Sequence, residues 1–392
     1  MRPTMFSRRD FSRAIGQSLA FAIAGPGVLP AAQVVPDDAP SSGPIHLNFN
    51  ESPYGPSPKA REAFAACGLT AARYPDHKYK EVQDALAELH RVARGNILLG
   101  CGSTEILRVT DAAFLAPGKN LVVAEPTFEA VLEYARVTKS EPVKVPLTAD
   151  YRHDLARMAA ACTSKTGLVY VCNPNNPTGT IVSRDELAAF FERVPPTTLI
   201  LVDEAYHHLA DDPSYASALD WHGKYPNVVV ARTFSKVYGM AGMRLGYAVG
   251  AKQTIAAMGE HILVDNGNSA VLAAVLASLS DQQHVLESQS KLIQTRNWMN
   301  AELAKDKRRF IVSQGNFLMI DMGGDVKPTI EQFKARNILV GRRFASMPNH
   351  LRVTIGTQPE MEQFVGTLQD IALAGAVNAR SGSDVDQSSK AA

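Results

Sequence analysis

Short apolar runs recur through the middle of the chain, at residues 97–99, 121–124, 168–172, 199–202, 228–231 and 247–249. The segments between them mix apolar and polar positions at helical spacing. One of these segments opens on Ser183, with Glu186 three residues later and Leu187 next, which reads as a capping box. Runs that are apolar throughout, rather than alternating, suit strands covered on both faces. With helices between them they predict a mostly parallel sheet. The pattern changes near residue 268. Residues 268–305 read as long helical material that bridges to a second unit. There, strand-like runs at 317–322, 338–340 and 351–355 alternate with helices at 329–336 and 361–374. This order predicts a smaller α/β sandwich, joined by the N-terminal arm.

The two ends of the chain read differently. Ser7-Arg8-Arg9-Asp10-Phe11 precedes a mildly apolar stretch at 14–29 that Gly and Pro interrupt. That stretch is too short and too broken for a good membrane span, so no stable membrane anchor is expected. The paired arginines and the following Phe read as a twin-arginine export signal. An ordinary secretory signal or a basic, unstructured start would explain the same residues. Ala22-Ile23-Ala24 and Pro30-Ala31-Ala32 both offer small residues for cleavage, and a cut near Ala32 is favoured. Export of this kind carries folded proteins, and the expected partner is the twin-arginine machinery, with a periplasmic or exported location. The resulting organisation is a signal at 1–32, an arm at 33–60, a large domain at 61–265, a bridging helix and small domain at 266–375, and a frayed tail at 376–392.

Composition adds exclusions. A chain of 392 residues is long enough for two domains, and 45% hydrophobic with 20% charged residues suits a globular protein rather than a disordered one. The net charge of +1 gives no electrostatic argument for nucleic acid or anionic lipid. Cys67, Cys101, Cys162 and Cys172 show no metal-ligand spacing and no CxxC pair, and Cys172 reads as a buried thiol.

The chemistry falls where a parallel sheet places its ligands, just past the apolar runs. Gly102-Ser103-Thr104, Phe128, Asn176, Asp203 and Ser235-Lys236 each follow one. Together they supply what pyridoxal 5'-phosphate requires. Lys236, read alone, would be solvated surface. Between an apolar run and a Gly-rich segment it reads as the Schiff-base lysine. Asp203 ends a strand, where a carboxylate is costly unless paired, and it would keep the pyridine nitrogen protonated. It could also cap a helix, but that leaves Tyr206 unexplained. Tyr206 and Asn176 would hold the ring oxygen, although Asn176-Pro177-Thr178-Gly179 alone could be only a turn. Gly102-Ser103-Thr104 precedes a helix and would present N–H groups and hydroxyls to the phosphate, with Thr233, Ser235 and Arg244 adding hydroxyls and a fixed charge. Phe128 would stack on the ring or pack in the core. Arg352, amid β-branched residues, is either an outward strand charge or a fork for a carboxylate. Arg342 and Arg343 form either a solvated basic turn or an approach for an acidic or phosphorylated side chain.

With these motifs in place the chain resembles a fold-type I, class I/II aminotransferase, and is most similar to the histidinol-phosphate aminotransferase group. The resemblance spans about residues 48–373. It rests on Asn48-Phe49-Asn50-Glu51-Ser52-Pro53, Arg73-Tyr74-Pro75, Asn175-Asn176-Pro177-Thr178-Gly179, Asp203-Glu204-Ala205-Tyr206, Ser235-Lys236 and Leu351-Arg352-Val353-Thr354-Ile355-Gly356-Thr357. It implies an α/β fold. A large domain would bind the cofactor on a mostly parallel seven-stranded sheet in an α/β/α sandwich, beside a smaller α/β C-terminal domain. It implies transamination between an L-amino acid and a 2-oxo acid in ping-pong half-reactions through an aldimine at Lys236. Arg352 and Asn50 would bind the substrate. Tyr74 would reach the cofactor phosphate of a neighbouring subunit, which implies a homodimer with shared sites. Phe128 stands where that group has a ring-stacking tyrosine. A decarboxylase, lyase or cyclase of amino acids would use the same cofactor residues. A non-catalytic cofactor-binding regulator would carry a fused DNA-binding segment, and none is read before Asn48.

Overall fold

The computed structural model describes residues 43–69 and 71–388, with side chains up to residue 373 except that of Leu69. The expected export signal, its cleavage site and most of the arm, all within residues 1–42, lie outside the described residues. In chain order the strands are β1 (Ile45–Leu47), β2 (Ile97–Gly100), β3 (Asn120–Glu125), β4 (Glu141–Pro146), β5 (Thr166–Cys172), β6 (Leu199–Asp203), β7 (Val228–Thr233), β8 (Gly246–Gly250), β9 (Phe310–Ile311), β10 (Phe317–Asp321), β11 (Ile338–Val340) and β12 (His350–Thr354).

Seven of them form one sheet in the order β2-β8-β7-β6-β5-β3-β4. The pairings from β4 through β7 are parallel, and β8 runs antiparallel to both of its neighbours. The seven-stranded, mostly parallel expectation therefore describes the sheet. The physical reason is visible along β5, β6 and β7, where every residue is buried. Successive side chains point to opposite faces of a strand. On one face Leu121, Val123, Leu168, Tyr170 and Leu201 pack against Ile106, Leu107 and Val109 of the helix Ser103–Phe114. On the other, Val122, Val169, Val171, Ile200 and Val202 meet Leu187, Phe190 and Phe191 of the helix Arg184–Arg193. That second helix opens with the capping box read from the sequence: Ser183 Oγ accepts from the Glu186 N–H at 3.3 Å, and Glu186 Oε2 accepts from the Ser183 N–H at 2.7 Å. The edge strand β4 left no apolar run to find. Its sequence, Glu-Pro-Val-Lys-Val-Pro, is largely solvent-facing, and proline is tolerated at an edge because the outer N–H groups need no partner.

The C-terminal strands form a three-stranded antiparallel sheet, with β10 between β12 and β9, and a separate parallel pair, β1 with β11. The pair ties the N-terminal arm to this part of the fold. Leu292, Met299 and Leu303 of the helix Gln282–Lys305 share a core with Phe317, Leu351, Val353, Phe364 and Leu368. The Phe333 and Phe364 rings stack with centroids 4.8 Å apart. Tyr206 joins the same core, edge-on to Phe317 at 5.0 Å. Three details differ from the sequence expectations. The helical stretch 268–305 is two helices, Ser269–Leu279 and Gln282–Lys305, interrupted at Ser280 and Asp281, both residues that bond to local backbone in preference to continuing a helix. The two-residue strand β9 was too short to register. The last helix runs over Gln358–Ser388 and so enters the segment expected to be frayed.

A buried ion pair fixes the site end of β6 to β7. Glu204, next after β6, accepts from Arg232 Nε at 3.1 Å and Nη2 at 2.8 Å, and from the Ala218 N–H at 2.6 Å. The Arg232 and Glu204 side chains are 8% and 0% exposed. Removing one partner strands the other charge in an apolar interior. Arg232→Met should therefore lower the unfolding free energy by about 3–5 kcal/mol, and Arg232→Met with Glu204→Leu should recover much of that loss. Urea denaturation of both variants checks this; a single variant as stable as the parent would show that the pair does not hold the strands.

Candidate active site

The carboxyl ends of the parallel strands deliver their following residues to one cavity of about 580 Å³. Thr127 and Phe128 come after β3, Asn176 after β5, Asp203 and Tyr206 from the end of β6, and Thr233, Ser235 and Lys236 from the end of β7. Ser103 and Thr104 enter from the start of their helix, and Arg244 from the turn before β8. The segment after β1 contributes Asn48, Phe49, Asn50 and Glu51, while Arg342, Phe344 and Arg352 come from the side of β11 and β12. The structure thus brings together the sequence-expected residues with two exceptions. Gly102 sits just behind the lining, at the helix start. Tyr74 is 81% exposed and does not line the cavity.

One end of the cavity is built for an anion. Gly102 has φ +76°, and a Cβ there would lie 2.3 Å from Arg244 Nη2. Glycine is what lets the guanidinium close over the N-terminus of the helix Ser103–Phe114, where free N–H groups favour negative charge. Arg244 donates to Ser235 Oγ at 3.4 Å and to the Ala241 carbonyl at 2.9 Å. Both acceptors are neutral, so its charge remains available to a ligand. Thr233 Oγ1 donates to Ser235 Oγ at 2.9 Å, which clusters the hydroxyls beside it.

The middle of the cavity holds the reactive groups. Asp203 Oδ2 accepts from the Tyr170 hydroxyl at 2.9 Å, and Oδ1 accepts from the Ala205 N–H at 3.1 Å. Burial pushes this carboxyl up to about 6 even though both hydrogen bonds favour its charged form. Lys236 Nζ donates to the backbone carbonyls of Asn50 at 2.9 Å and Phe49 at 3.2 Å, and lies 5.4 Å from the centre of the Tyr206 ring. Burial, reinforced by the nearby Arg352 charge, brings the amine down to about 8. The Tyr206 hydroxyl accepts from Asn50 Nδ2 at 3.0 Å and from Asn176 Nδ2 at 3.4 Å, and burial holds the phenol above its ordinary range.

At the far end, Arg352 on β12 donates from Nη1 to Asn176 Oδ1 at 2.8 Å and from Nη2 to the Asn48 carbonyl at 2.9 Å. Its Nε is buried without a partner. A buried cation with no acidic partner and a spare N–H is costly by itself and points to an incoming anion. Of the two arginines after β11, Arg342 lines the cavity, whereas Arg343 pairs with Asp325 at 2.8 Å outside it.

Sequence reasoning missed several participants. Tyr170, which holds Asp203, lay inside a run read only as apolar; the pairing of Cys172 with Asp203 puts Tyr170 within reach. The carbonyls of Asn48, Phe49 and Asn50 act through the backbone, which carries no residue-type signal. Glu129 follows Phe128 and belongs to no motif that would single it out.

The residues fit pyridoxal phosphate. An anion cradle that a Cβ at position 102 would block, an enclosed amine of lowered basicity, a buried carboxylate and two amide donors at a phenol all open on one space. The comparisons agree. Residues 42–368 match the family model "Aminotransferase class I and II". A histidinol-phosphate aminotransferase of Moorella thermoacetica is 36% identical over 330 residues, 83% of this chain and 85% of its own. An aromatic amino acid aminotransferase of Thermobifida fusca is 35% identical over 340 residues, 87% of this chain and 93% of its own. The crystal structure of histidinol-phosphate aminotransferase from Sinorhizobium meliloti in complex with pyridoxal-5'-phosphate matches with a TM-score of 0.79 at 25% identity, covering 89% of this chain and 100% of that one. A family model spanning most of the sequence, relatives similar along most of their own length and a cavity of the required chemistry lead to one conclusion: the chain belongs to the class I and II aminotransferases and is a pyridoxal phosphate-dependent enzyme of transamination.

Proposed function

We propose that Lys236 is the residue that holds the cofactor covalently and that the same amine then moves the substrate's α-proton. One observation carries this reading: an enclosed amine lies in a single cavity with the buried Asp203 carboxylate and with Arg352, whose Nε has no partner. When bound, pyridoxal phosphate supplies a protonated ring that draws electrons from the substrate's α-carbon. Asp203 would keep the ring nitrogen protonated, and the positive ring would offset the cost of the buried carboxylate. Tyr206 and Asn176 would hold the ring oxygen, and Phe128 would stack on the ring. Gly102, Ser103, Thr104, Thr233, Ser235 and Arg244 would hold the phosphate. Arg352 forks onto the α-carboxylate, with Asn50 and Asn176 beside it. An amine titrating near 8 would take the proton from the substrate's α-carbon as general base and then give it up as general acid. The donor leaves as a 2-oxo acid before the acceptor 2-oxo acid enters, in ping-pong order. Exposed Tyr74 would complete the phosphate site of a second copy, so the working form is a homodimer. Arg8-Arg9 near the N-terminus supports export by the twin-arginine route to the periplasm.

Attack on the cofactor aldehyde needs a neutral amine. Protein stripped of cofactor should capture pyridoxal phosphate faster as pH rises through about 8, then level off, because Lys236 is deprotonated above that point. Borohydride reduction followed by peptide mapping should find the adduct on Lys236, and Lys236→Ala should give none. An adduct on another lysine, or capture still accelerating at pH 10, would sink the assignment.

Arg352→Lys keeps the charge but loses the fork. It should reduce kcat/KM for amino acids roughly 10- to 150-fold, the scale of a charged hydrogen bond, while the cofactor spectrum without substrate stays unchanged. Normal amino-acid turnover in this variant would move the carboxylate site elsewhere.

Replacing Arg8 and Arg9 together by Lys should leave the protein in the cytoplasm. Cell fractionation decides it, and undiminished periplasmic protein would refute this route.

A further inference from the structure

Two arginines face the substrate end of the cavity, and their surroundings are opposite in kind. Arg352 is buried, its hydrogen bonds go to neutral oxygens, and its Nε is free. No acid pairs with it directly, so its charge suits a carboxylate, although Glu129 adds a field from across the cavity. Arg342 is ion-paired with Glu129, which follows Phe128 on the opposite wall. The two side chains are 55% and 50% exposed, so the pair spans the open side of the cavity. The placement is not accidental to the backbone. Gly341 bonds through its N–H to the Arg352 carbonyl at 2.8 Å, and a Cβ at Gly341 would lie 2.7 Å from that same oxygen. Glycine brings the end of β11 against β12 and sets Arg342 beside Arg352. The Arg342 guanidinium lies 4.3 Å from the centre of the Phe344 ring, and Arg352 lies 5.2 Å from it. Phe49, Phe128 and Phe344 line the same space.

We infer that Glu129 sets the donor class of this enzyme: by neutralising Arg342 at the mouth of the cavity, it directs the site to L-amino acids with uncharged aromatic side chains and against those ending in a phosphate or a carboxylate. The inference rests on the transamination chemistry and on Arg352 as the α-carboxylate site. An anionic side chain that reached Arg342 would have to displace Glu129 or sit beside it. A phosphate of nearly two negative charges suffers most from that repulsion. An aromatic side chain loses nothing, since it meets phenyl walls and a flat guanidinium whose charge is already answered. Arg343, held outward by Asp325, adds no compensating charge within the cavity.

The test uses holoenzyme and three probes: phenylalanine, aspartate and O-phosphoserine. The first half-reaction is followed by the conversion of the bound cofactor to its amine form. The parent should show a higher kcat/KM for phenylalanine than for either anionic donor. In Glu129→Gln the anionic-to-phenylalanine ratio should rise roughly tenfold, mainly through KM, and the gain should shrink in high salt. Adding Arg342→Gln to that variant should abolish the gain, because Arg342 is the group set free. A parent that prefers O-phosphoserine or aspartate, a ratio unmoved by Glu129→Gln, or a gain that survives the loss of Arg342 would each overturn the inference. Turnover with an unmoved ratio fails this inference alone. A parent that converts none of its cofactor with any amino acid fails the reaction itself, and the inference falls with it.

Discussion

A carboxylate at the end of a fully buried strand has to be answered by its surroundings, and around Asp203 much of this site is arranged to do so. Tyr170 and the Ala205 N–H hydrogen-bond it from two sides, yet burial still holds it near 6. What it lacks is a positive partner in direct contact. Lys236 contributes a field, but its own hydrogen bonds go to the carbonyls of Phe49 and Asn50. A cationic ring bound there would supply that partner, which is the physical sense in which the site suits its cofactor.

The N-terminal segment does more than link parts of the fold. Through β1 it joins β11, and three residues later Asn50 reaches into the cavity. The Asn50 N–H donates to Thr354 Oγ1 at 2.9 Å, its amide donates to the Tyr206 hydroxyl, and its carbonyl accepts from Lys236. One residue thus ties β12, the end of β6 and the reactive lysine together. It does so at φ +54°, a conformation that asparagine tolerates better than most side chains. Arg352 donates to the neighbouring Asn48 carbonyl, so the carboxylate site is braced by the same segment. The proposed substrate and cofactor residues are consequently joined in one continuous hydrogen-bond network.

Charge is distributed unevenly within that network. Arg244 and Arg352 keep their charges for ligands, whereas Arg232 is consumed by Glu204 and Arg342 by Glu129. The first two are left without an acidic partner within hydrogen-bond reach. The third is structural, because Glu204 and Arg232 are buried side by side beneath the strand ends. What distinguishes these four arginines is whether an acid is paired with each.

Much of this was written in the sequence. The apolar runs at 168–172, 199–202 and 228–231 specified strands buried on both faces, because only such strands can be apolar at every position. The polar residues just after them marked the site, because a parallel sheet aligns those ends. The antiparallel course of β8, the edge strand β4 and the break at Ser280 left no comparable trace, since pairing partners and edges are settled by tertiary contact rather than by local period. The roles of Tyr170, Asn48 and Glu129 were hidden for the same reason. A tyrosine in an apolar run, a backbone carbonyl and a half-exposed glutamate look ordinary along the chain. Each acquires its function only from what folding sets opposite: Asp203 for the first, Arg352 for the second and Arg342, 213 residues away, for the third. Sequence determined which groups were available and at which strand ends they stand, and the tertiary structure decided which charges are answered within the protein and which are left for a ligand, because that balance depends on distance and burial rather than on order along the chain.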